Sequence, residues 1–217
     1  MATPKARSHA QKSARKQSII DAAVELLSGN VSELPPVSAI AKQAGFAKGT
    51  VYIYFESKER LFLDIYQDLY AKCVSNFRRE LHLKDIQQVA LFWFEQPMFS
   101  KLMSLADGVL ISSLSTEDKQ QYLLDRENTL DNVLTNSHTV NVLKEEHDRW
   151  HHMVKLTMSS IQLVWLEESL YDEKEPKKEV FIAMAADAAK PVWDAYIKTT
   201  LQSKKSKPWH SFLQKNK

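Results

Sequence analysis

Glycine and cysteine are both scarce in this 217-residue sequence. An average chain is about 7% glycine, whereas this one has four glycines, and Gly45 and Gly49 fall in one short segment. In a chain with so few glycines, each one indicates a place where the backbone adopts a conformation that other residues disfavour. The single cysteine, Cys73, excludes an internal disulfide and is typical of a reducing compartment, so we expect a cytoplasmic protein.

Long apolar runs and catalytic motifs are also missing. No segment approaches the ~18 consecutive apolar residues of a membrane span, and the opening stretch MATPKARSHAQKSARK lacks the apolar core of a secretory signal. The sequence contains no phosphate-binding loop, dinucleotide-binding glycine pattern, nucleophile elbow or paired-cysteine metal spacing. We therefore expect no membrane partner, no cofactor and no enzymatic activity.

Charge is unevenly distributed along the chain. Residues 1–60 hold nine Lys/Arg against five Asp/Glu, a net charge of +4, whereas the remainder holds twenty against twenty-two, a net charge of −2. Residues 1–17 carry no acidic side chain at all. A basic excess confined to one end of a chain is typical of proteins that bind nucleic acid through that end.

One segment in the basic part, VSAIAKQAGFAKGTVYIYF at residues 37–55, predicts two short helices joined by a tight turn. Ile40 and Ala44 share one face of the first helix, and Gly45 ends it because glycine accepts the left-handed conformation needed there. Val51 and the final phenylalanine, at i and i+4, turn one face of the second helix inward. This is the helix-turn-helix arrangement, whose second helix enters the major groove of DNA. The spacing alone leaves an ordinary helical hairpin open.

These residues and their neighbours resemble the DNA-binding region of the TetR family of bacterial regulators. The resemblance is carried by Ile19, Ile20, Asp21, Ala22, Ala23, Leu26, Leu27, Ile40, Ala41, Ala44, Gly45, Phe46, Lys48, Gly49, Thr50, Val51, Tyr52, Tyr54, Phe55, Ser57, Lys58, Glu59 and Leu61. It implies a homodimeric, ligand-responsive transcription factor, most often a repressor that a small-molecule effector releases. A dimer needs two half-sites, so the DNA operator is expected to be palindromic.

The expected DNA contacts lie in and around the recognition helix. Lys48 and Thr50 stand at its N-terminus, where side chains reach base edges or nearby phosphates. Tyr52, Tyr54 and Lys58 are expected mainly to hold phosphates. The full expected set is Arg15, Lys16, Ala47, Lys48, Gly49, Thr50, Tyr52, Tyr54 and Lys58.

Four positions depart from the family pattern, and at two of them, Val31 and Ser32, the family usually carries a glycine and an aromatic residue. Threonine is usual in the family where Pro36 stands, and serine is common where Ala47 stands. The residues at positions 36 and 47 lack the side-chain hydroxyl that would cap a helix or touch a phosphate, which puts two phosphate contacts in doubt, although proline suits a first helical turn. The helical plan of the segment is unaffected.

The rest of the chain also predicts helices, so the expected fold class is all-α. Residues 1–17 are expected to form a basic, disordered arm, and residues 18–56 the three-helix DNA-binding domain. Residues 57–202 are expected to form a helical dimerisation and ligand-binding domain, whose first helix, 57–81, links the two domains. An effector in the C-terminal domain would tilt that helix and change the spacing of the recognition helices. Residues 203–217 read as a basic tail.

A long helix predicted over residues 143–171 is apolar on two sides. One side carries Trp150, Val154, Ile161, Val164 and Trp165, and the other carries Met153, Leu156, Leu163, Leu166 and Leu170. A helix of this kind packs on its own domain and also on a second surface. A second copy of the chain is the simplest partner and gives a two-fold four-helix interface. The alternative is a larger core within one chain.

Residues that would hold a small molecule are less well marked. Large apolar and isolated polar side chains of the C-terminal part suit an effector site, and each is also compatible with plain core packing. The candidates are Trp93, Phe99, Met103, Asp107, Tyr122, Met158, Gln162 and Trp165, while Asp107 and Asp131 are candidates for a cationic ligand. His147 and His151 have the i, i+4 spacing of metal ligands, with His152 adjacent. The charged residues around them indicate a solvated helix turn, so we expect no metal.

Two other functions remain open at this point. The chain could be a sequence-indifferent protein that coats DNA, in which case it would bind random duplexes as well as any operator. It could instead be a small-molecule carrier or an enzyme with a vestigial DNA-binding head, although no catalytic group supports this.

Overall fold

The computed structural model describes residues 4–28, 33–83, 85–135, 144–171 and 177–205. Within these ranges the chain is helical and contains no strand, which confirms the all-α prediction. The helices are α1 (Pro4–Ser28), α2 (Val37–Gln43), α3 (Lys48–Tyr54), α4 (Lys58–Leu83), α5 (Ile86–Phe94), α6 (Pro97–Leu105), α7 (Thr116–Thr135), α8 (Lys144–Tyr171) and α9 (Lys178–Lys205). A π-helical turn, Ala106–Leu110, continues from α6.

The first helix is longer than the sequence predicted. α1 begins at Pro4, so residues 4–17 are helical, and the prediction of a disordered arm is wrong for them. Residues 9–18 are exposed, which is why they show no apolar periodicity. Lysine, arginine, alanine and glutamine, which are frequent here, lose little side-chain freedom in a helix. Helix propensity rather than burial accounts for the extension.

Polar side chains begin three of the helices as N-caps. Ser57 accepts a hydrogen bond from the backbone N–H of Arg60 at 3.0 Å, which starts α4 where the sequence predicted. Asp85 accepts from the backbone N–H of Gln87 at 3.0 Å at the start of α5. Ser115 accepts from the backbone N–H of Asp118 at 3.1 Å at the start of α7. Each cap satisfies an amide that a helix end leaves without an intrahelical partner.

The chain divides into two compact units. Unit 1 comprises residues 1–70 and 97–124, and unit 2 comprises residues 71–96 and 125–217. Two helices, α4 and α7, contribute their first part to unit 1 and their second part to unit 2. The domain boundary that we placed at residue 56 remains a prediction.

Unit 1 is built on the packing of α1 against α2 and α6, and of α2 against α3. Its core holds buried apolar residues from each of these helices and from α4: Ile19, Ala23, Leu27, Ile40, Val51, Phe55, Leu61, Phe62 and Phe99. Tyr66 stacks on Phe99, with ring centroids 5.6 Å apart. Lys101 donates a hydrogen bond to the Leu27 carbonyl at 3.5 Å and so joins the end of α1 to α6.

Unit 2 is built on α9, which packs against α5 and α8. Phe181 is fully buried, with its ring centroid 5.6 Å from those of both Phe94 and Trp165. Trp150 is buried and donates its indole N–H to the Leu130 carbonyl at 3.1 Å, which fixes α8 against α7.

One sequence prediction lies partly outside the described residues. Of the predicted basic tail, residues 203–205 continue α9, and the remainder lies outside the described part. Among the described residues, none of the helices is both long and apolar enough to cross a lipid bilayer.

Candidate nucleic-acid interface

The turn between α2 and α3 has the geometry of a glycine-terminated helix. Gly45 adopts φ +74°, a left-handed conformation that side chains disfavour. Its N–H donates to the Lys42 carbonyl at 3.2 Å, and the N–H of Phe46 donates to the Ala41 carbonyl at 2.8 Å. These bonds close the end of α2 and set the direction in which α3 departs.

The burial pattern of α3 decides which side chains it presents to solvent. Val51 is buried in unit 1, and Phe55, directly after α3, is buried as well, as the i, i+4 spacing predicted. Lys48, Gly49 and Tyr52 are exposed. Ile53 lies on the face opposite Val51 and is 78% exposed, which is unusual for so apolar a side chain. We had not included Ile53 among the expected contacts, although its position relative to Val51 would have revealed it.

The exposed side of α3 borders a surface groove of about 400 Å³ within unit 1. Three segments that are separate in sequence line it: the start of α2, the exposed face of α3, and the approach to α4 with its first turn. The lining residues are Pro36, Val37, Ser38, Lys48, Tyr52, Glu56, Ser57, Lys58 and Glu59. The structure thus brings three expected contact residues, Lys48, Tyr52 and Lys58, to one groove.

The other expected contact residues lie outside the lining of this groove. Thr50 and Tyr54 belong to α3 and are half-buried. Ala47 is exposed and precedes α3 as its N-cap, with no side-chain hydrogen bond. Gly49 is exposed, and nothing lies within 4 Å of the position that a Cβ would occupy. Arg15 is exposed on α1.

Lys16 has contacts within unit 1. Its ammonium lies 3.6 Å from Asp64 Oδ2 and 5.1 Å from the centroid of the Phe55 ring. Asp64 also accepts a hydrogen bond from Arg60 at 3.0 Å. These contacts tie α1 to α4 and to the end of α3, so the structure gives Lys16 a positioning role that the sequence did not indicate.

The electrostatics of the groove combine two lysines, two glutamates and one helix terminus. Lys58 is the first residue of α4, where free backbone amides and the helix dipole already favour an anion. Its ammonium lies 4.0 Å from Glu59 and is about one third exposed, so this pair is screened by solvent. Glu56 also lines the groove. The groove can therefore receive one phosphate at the N-terminus of α4. The negative charges of Glu56 and Glu59 oppose the close approach of a second phosphate.

The two missing caps have structural consequences. Pro36 and Ala47 precede α2 and α3 in extended conformations, and neither makes a side-chain cap. The N-terminal amides of these two short helices therefore lack the side-chain acceptor that serine or threonine supplies.

The expected effector-site residues are divided between the two units. Phe99 and Tyr122 are buried in unit 1, and Met103 is half-buried there. Trp93, Met158, Gln162 and Trp165 are buried in unit 2. The side chain of Asp107 lies outside the described residues. A separate groove of about 410 Å³ in unit 2 is lined by Ala71, Lys72, Ser75, Asn76 and Phe92, none of which we had expected.

Comparison with known proteins finds a family match over the segment that contains α2 and α3. The family model described as bacterial regulatory proteins of the tetR family matches residues 19–65. The "Fatty acid metabolism regulator protein" of Bacillus subtilis (strain 168) is 28% identical over 146 residues, which cover 64% of this chain and 75% of that protein. The "Uncharacterized HTH-type transcriptional regulator YvdT" of the same strain is 35% identical over 72 residues, which cover 33% of this chain and 37% of that protein.

A solved structure supports the same fold. A TetR transcriptional regulator from Rhodococcus sp. RHA1 superposes with a TM-score of 0.57 at 18% identity, covering 86% of this chain and 97% of that one. These similar proteins are described as regulators and not as enzymes. The helix-turn-helix, the groove beside it and the family match coincide, and residues 19–65 form the segment that is typical of the tetR family of bacterial regulatory proteins.

Proposed function

We propose that the protein is a homodimeric repressor that binds a palindromic operator and is released by a small-molecule effector. The observation that carries the DNA-binding part is the convergence of Lys48, Tyr52 and Lys58 on one groove beside the exposed face of α3. Two cations and an amphipathic ring, placed beside a helix whose outer face is exposed, suit a phosphate backbone on one side and base edges on the other.

The groove residues and the tip of α3 have different tasks in this proposal. Lys58 and the α4 terminus hold one phosphate, and Tyr52 positions the backbone nearby. Lys48 and Thr50 face the bases at the start of the recognition helix. Ile53 supplies an apolar surface that suits the methyl group of thymine. Sequence is read by the second group, whereas the first group sets affinity and orientation.

The dimer is supported by apolar side chains that unit 2 leaves exposed. On α8, Trp150, Val154, Ile161, Val164 and Trp165 are buried within the chain, whereas Leu156, Leu163 and Leu166 are exposed. On α9, Val180 and Met184 are also exposed. We propose that these faces of α8 and α9 meet their counterparts in a second copy across a two-fold axis.

The effector is proposed to be a long-chain fatty acyl compound. This rests on one relative, which is described as a regulator of fatty acid metabolism. The acyl chain would need an apolar enclosure, and buried aromatic residues of unit 2 such as Trp93 and Trp165 offer suitable walls.

Selection of binding sites from a pool of random duplexes tests the DNA-binding part. The expected result is an inverted repeat whose half-sites are centred about 34–36 Å apart, or a multiple of that spacing. Bound DNA without any enriched sequence would overturn the proposal in favour of a sequence-indifferent coating protein. A failure to bind any duplex would overturn both.

The dimer is tested by placing a charge on its proposed interface. Leu163→Glu should convert the purified protein to a monomer and sharply lower its operator affinity, because a buried unpaired carboxylate opposes association. Leu123→Glu is the matched control, since Leu123 is comparably exposed but lies on α7 in unit 1. If wild type and Leu163→Glu have the same molecular mass in solution, α8 does not form the dimer interface.

The effector class is tested separately. Palmitoyl-coenzyme A, free palmitate and coenzyme A alone are titrated against the protein on the selected operator, with fluorescence anisotropy as the readout. We expect an acylated compound to release the DNA and coenzyme A to have no effect. Intact operator binding in all three titrations would reject the effector class and leave the DNA-binding proposal standing.

A further inference from the structure

Three side chains that are capable of binding a metal converge in unit 2. Asp131 lies on α7, and His147 and His151 occupy successive turns of α8. His147 Nε2 lies 2.5 Å from Asp131 Oδ1, and His151 Nε2 lies 2.7 Å from the same oxygen. The three ligand atoms all lie within 4.8 Å of one another. The sequence showed the histidine spacing but not the carboxylate that completes the set.

The surrounding structure fixes this arrangement. Trp150 stands between the two histidines on α8 and hydrogen-bonds the carbonyl of Leu130, the residue before Asp131. The register of α8 on α7 is therefore set at the cluster itself. The imidazole rings of His147 and His151 lie 4.2 Å apart at an angle of 30°. The side chain of His151 is only 11% exposed, so it is not the solvated side chain that the sequence suggested.

The ligand types favour a particular class of ion. Two imidazoles and one carboxylate suit divalent transition metals such as zinc, whereas magnesium and calcium prefer oxygen ligands throughout. Three protein ligands leave a coordination position of zinc open to water or to a ligand from solution. His147 and Asp131 are each about one third exposed, so that position can be reached from solvent.

A further carboxylate supports the orientation of one ligand. His147 Nδ1 lies 3.4 Å from Asp148 Oδ1, so the outer nitrogen of this imidazole faces a carboxylate while the inner nitrogen faces the cluster. A partner of this kind orients a metal-binding histidine. His152, the next histidine on α8, hydrogen-bonds the carbonyl of Asp148 at 2.9 Å through Nδ1 and does not belong to the cluster.

We propose that Asp131, His147 and His151 bind one divalent transition-metal ion that clamps α7 to α8. The ligand atoms of a tetrahedral zinc ion lie about 3.3–3.5 Å apart. The two distances from imidazole nitrogen to carboxylate oxygen, 2.5 and 2.7 Å, therefore have to lengthen by less than about 1 Å each when an ion binds. Without an ion, the imidazoles of His147 and His151 would instead both hydrogen-bond to Asp131 Oδ1. The proposal is independent of DNA binding and of the effector.

Isothermal titration of the full chain, without a histidine tag and stripped with a chelator, tests the proposal. Zinc chloride should bind with a stoichiometry of one per chain and raise the melting temperature, and magnesium chloride should do neither. Cobalt(II) should give the visible absorption of a four-coordinate ion with nitrogen and oxygen ligands. Absence of stoichiometric zinc binding would show that the cluster is only hydrogen-bonded, and would overturn the proposal.

Variants assign the ion to these residues. His147→Gln should weaken zinc binding at least tenfold and abolish the rise in melting temperature, and Asp131→Asn should act in the same way if it folds. His152→Gln is the matched control and should bind like wild type, because it removes an adjacent imidazole outside the cluster. His147 is partly exposed, so circular dichroism of the metal-free His147→Gln protein should show that it remains folded. Zinc binding that survives His147→Gln but is lost in His152→Gln would contradict the assignment.

Discussion

The ammonium of Lys16 lies 5.1 Å from the centroid of the Phe55 ring, directly where α3 ends. The same ammonium lies 3.6 Å from Asp64 on α4. One side chain of α1 therefore touches both the end of the recognition helix and the helix that follows it. Lys16 therefore differs from Lys48 and Lys58, which line the groove beside α3.

Lys16→Ala should lower stability while leaving the salt dependence of DNA binding unchanged. A partly exposed ion pair and a cation–π contact together contribute about 0.5–1 kcal/mol after screening. Urea unfolding measures the stability, and Arg15→Ala, an exposed neighbour, is the control that should change it little. A flatter salt dependence in Lys16→Ala would instead make this lysine a phosphate contact.

Two glycine substitutions should have opposite effects on stability. Gly45→Ala should destabilise the protein by about 1 kcal/mol, because φ +74° is unfavourable for any residue with a Cβ. Gly49→Ala should stabilise it by about 0.5–1 kcal/mol, because position 49 is helical and its Cβ would enter open space. Chemical denaturation measures both.

The Gly49→Ala protein also reports on the DNA backbone. If a phosphate approaches Gly49 closely, the substitution should lower operator affinity even though the folded state becomes more stable. Unchanged affinity would show that the DNA backbone passes elsewhere.

Thr50→Ala should change the preference among operators more than the overall affinity. Thr50 stands in the first turn of α3, where side chains reach base edges. Affinities are measured on a panel of single-base operator variants, and Tyr52→Phe serves as the comparison, because a lost phosphate contact weakens every sequence alike. Equal losses on all operators for Thr50→Ala would remove it from base recognition.

Cys73 should make stability fall at alkaline pH. Complete burial raises the pKa of its thiol well above the ordinary value, so the folded protein holds the proton after the unfolded chain has lost it. The contribution is fully present below the unfolded pKa of about 8.5 and is lost as pH rises above it. Wild type should lose about 1–2 kcal/mol more than Cys73→Ala between pH 7.5 and pH 10. Parallel pH profiles for the two proteins, obtained by urea unfolding under reducing conditions, would contradict this.

The sequence predicted best where one local pattern decides the structure. Gly45 alone indicated the turn, and the spacing of Val51 and Phe55 indicated the buried side of α3. Ser57 was recognisable as a helix cap, and its hydrogen bond to Arg60 confirms it. In each case the relevant residues lie within one or two helical turns of each other.

The sequence predicted least where residues distant along the chain meet. Asp131 and His151 are separated by twenty positions, so their contact follows only from the packing of α7 on α8. The extension of α1 to Pro4 was missed because an exposed helix carries no apolar pattern. The role of Lys16 depends on Asp64, which belongs to another helix, and no local spacing shows it.

The salt dependence of operator binding tests the central claim most directly. Lys58→Ala should weaken binding to every duplex and flatten the slope of log affinity against log salt concentration by about one unit, because one phosphate contact and its released counterion are lost. Lys119→Ala removes the same charge from α7, outside the groove, and should leave the slope at the wild-type value. A Lys58→Ala slope that matches the wild-type slope would show that DNA does not occupy the groove between α3 and α4.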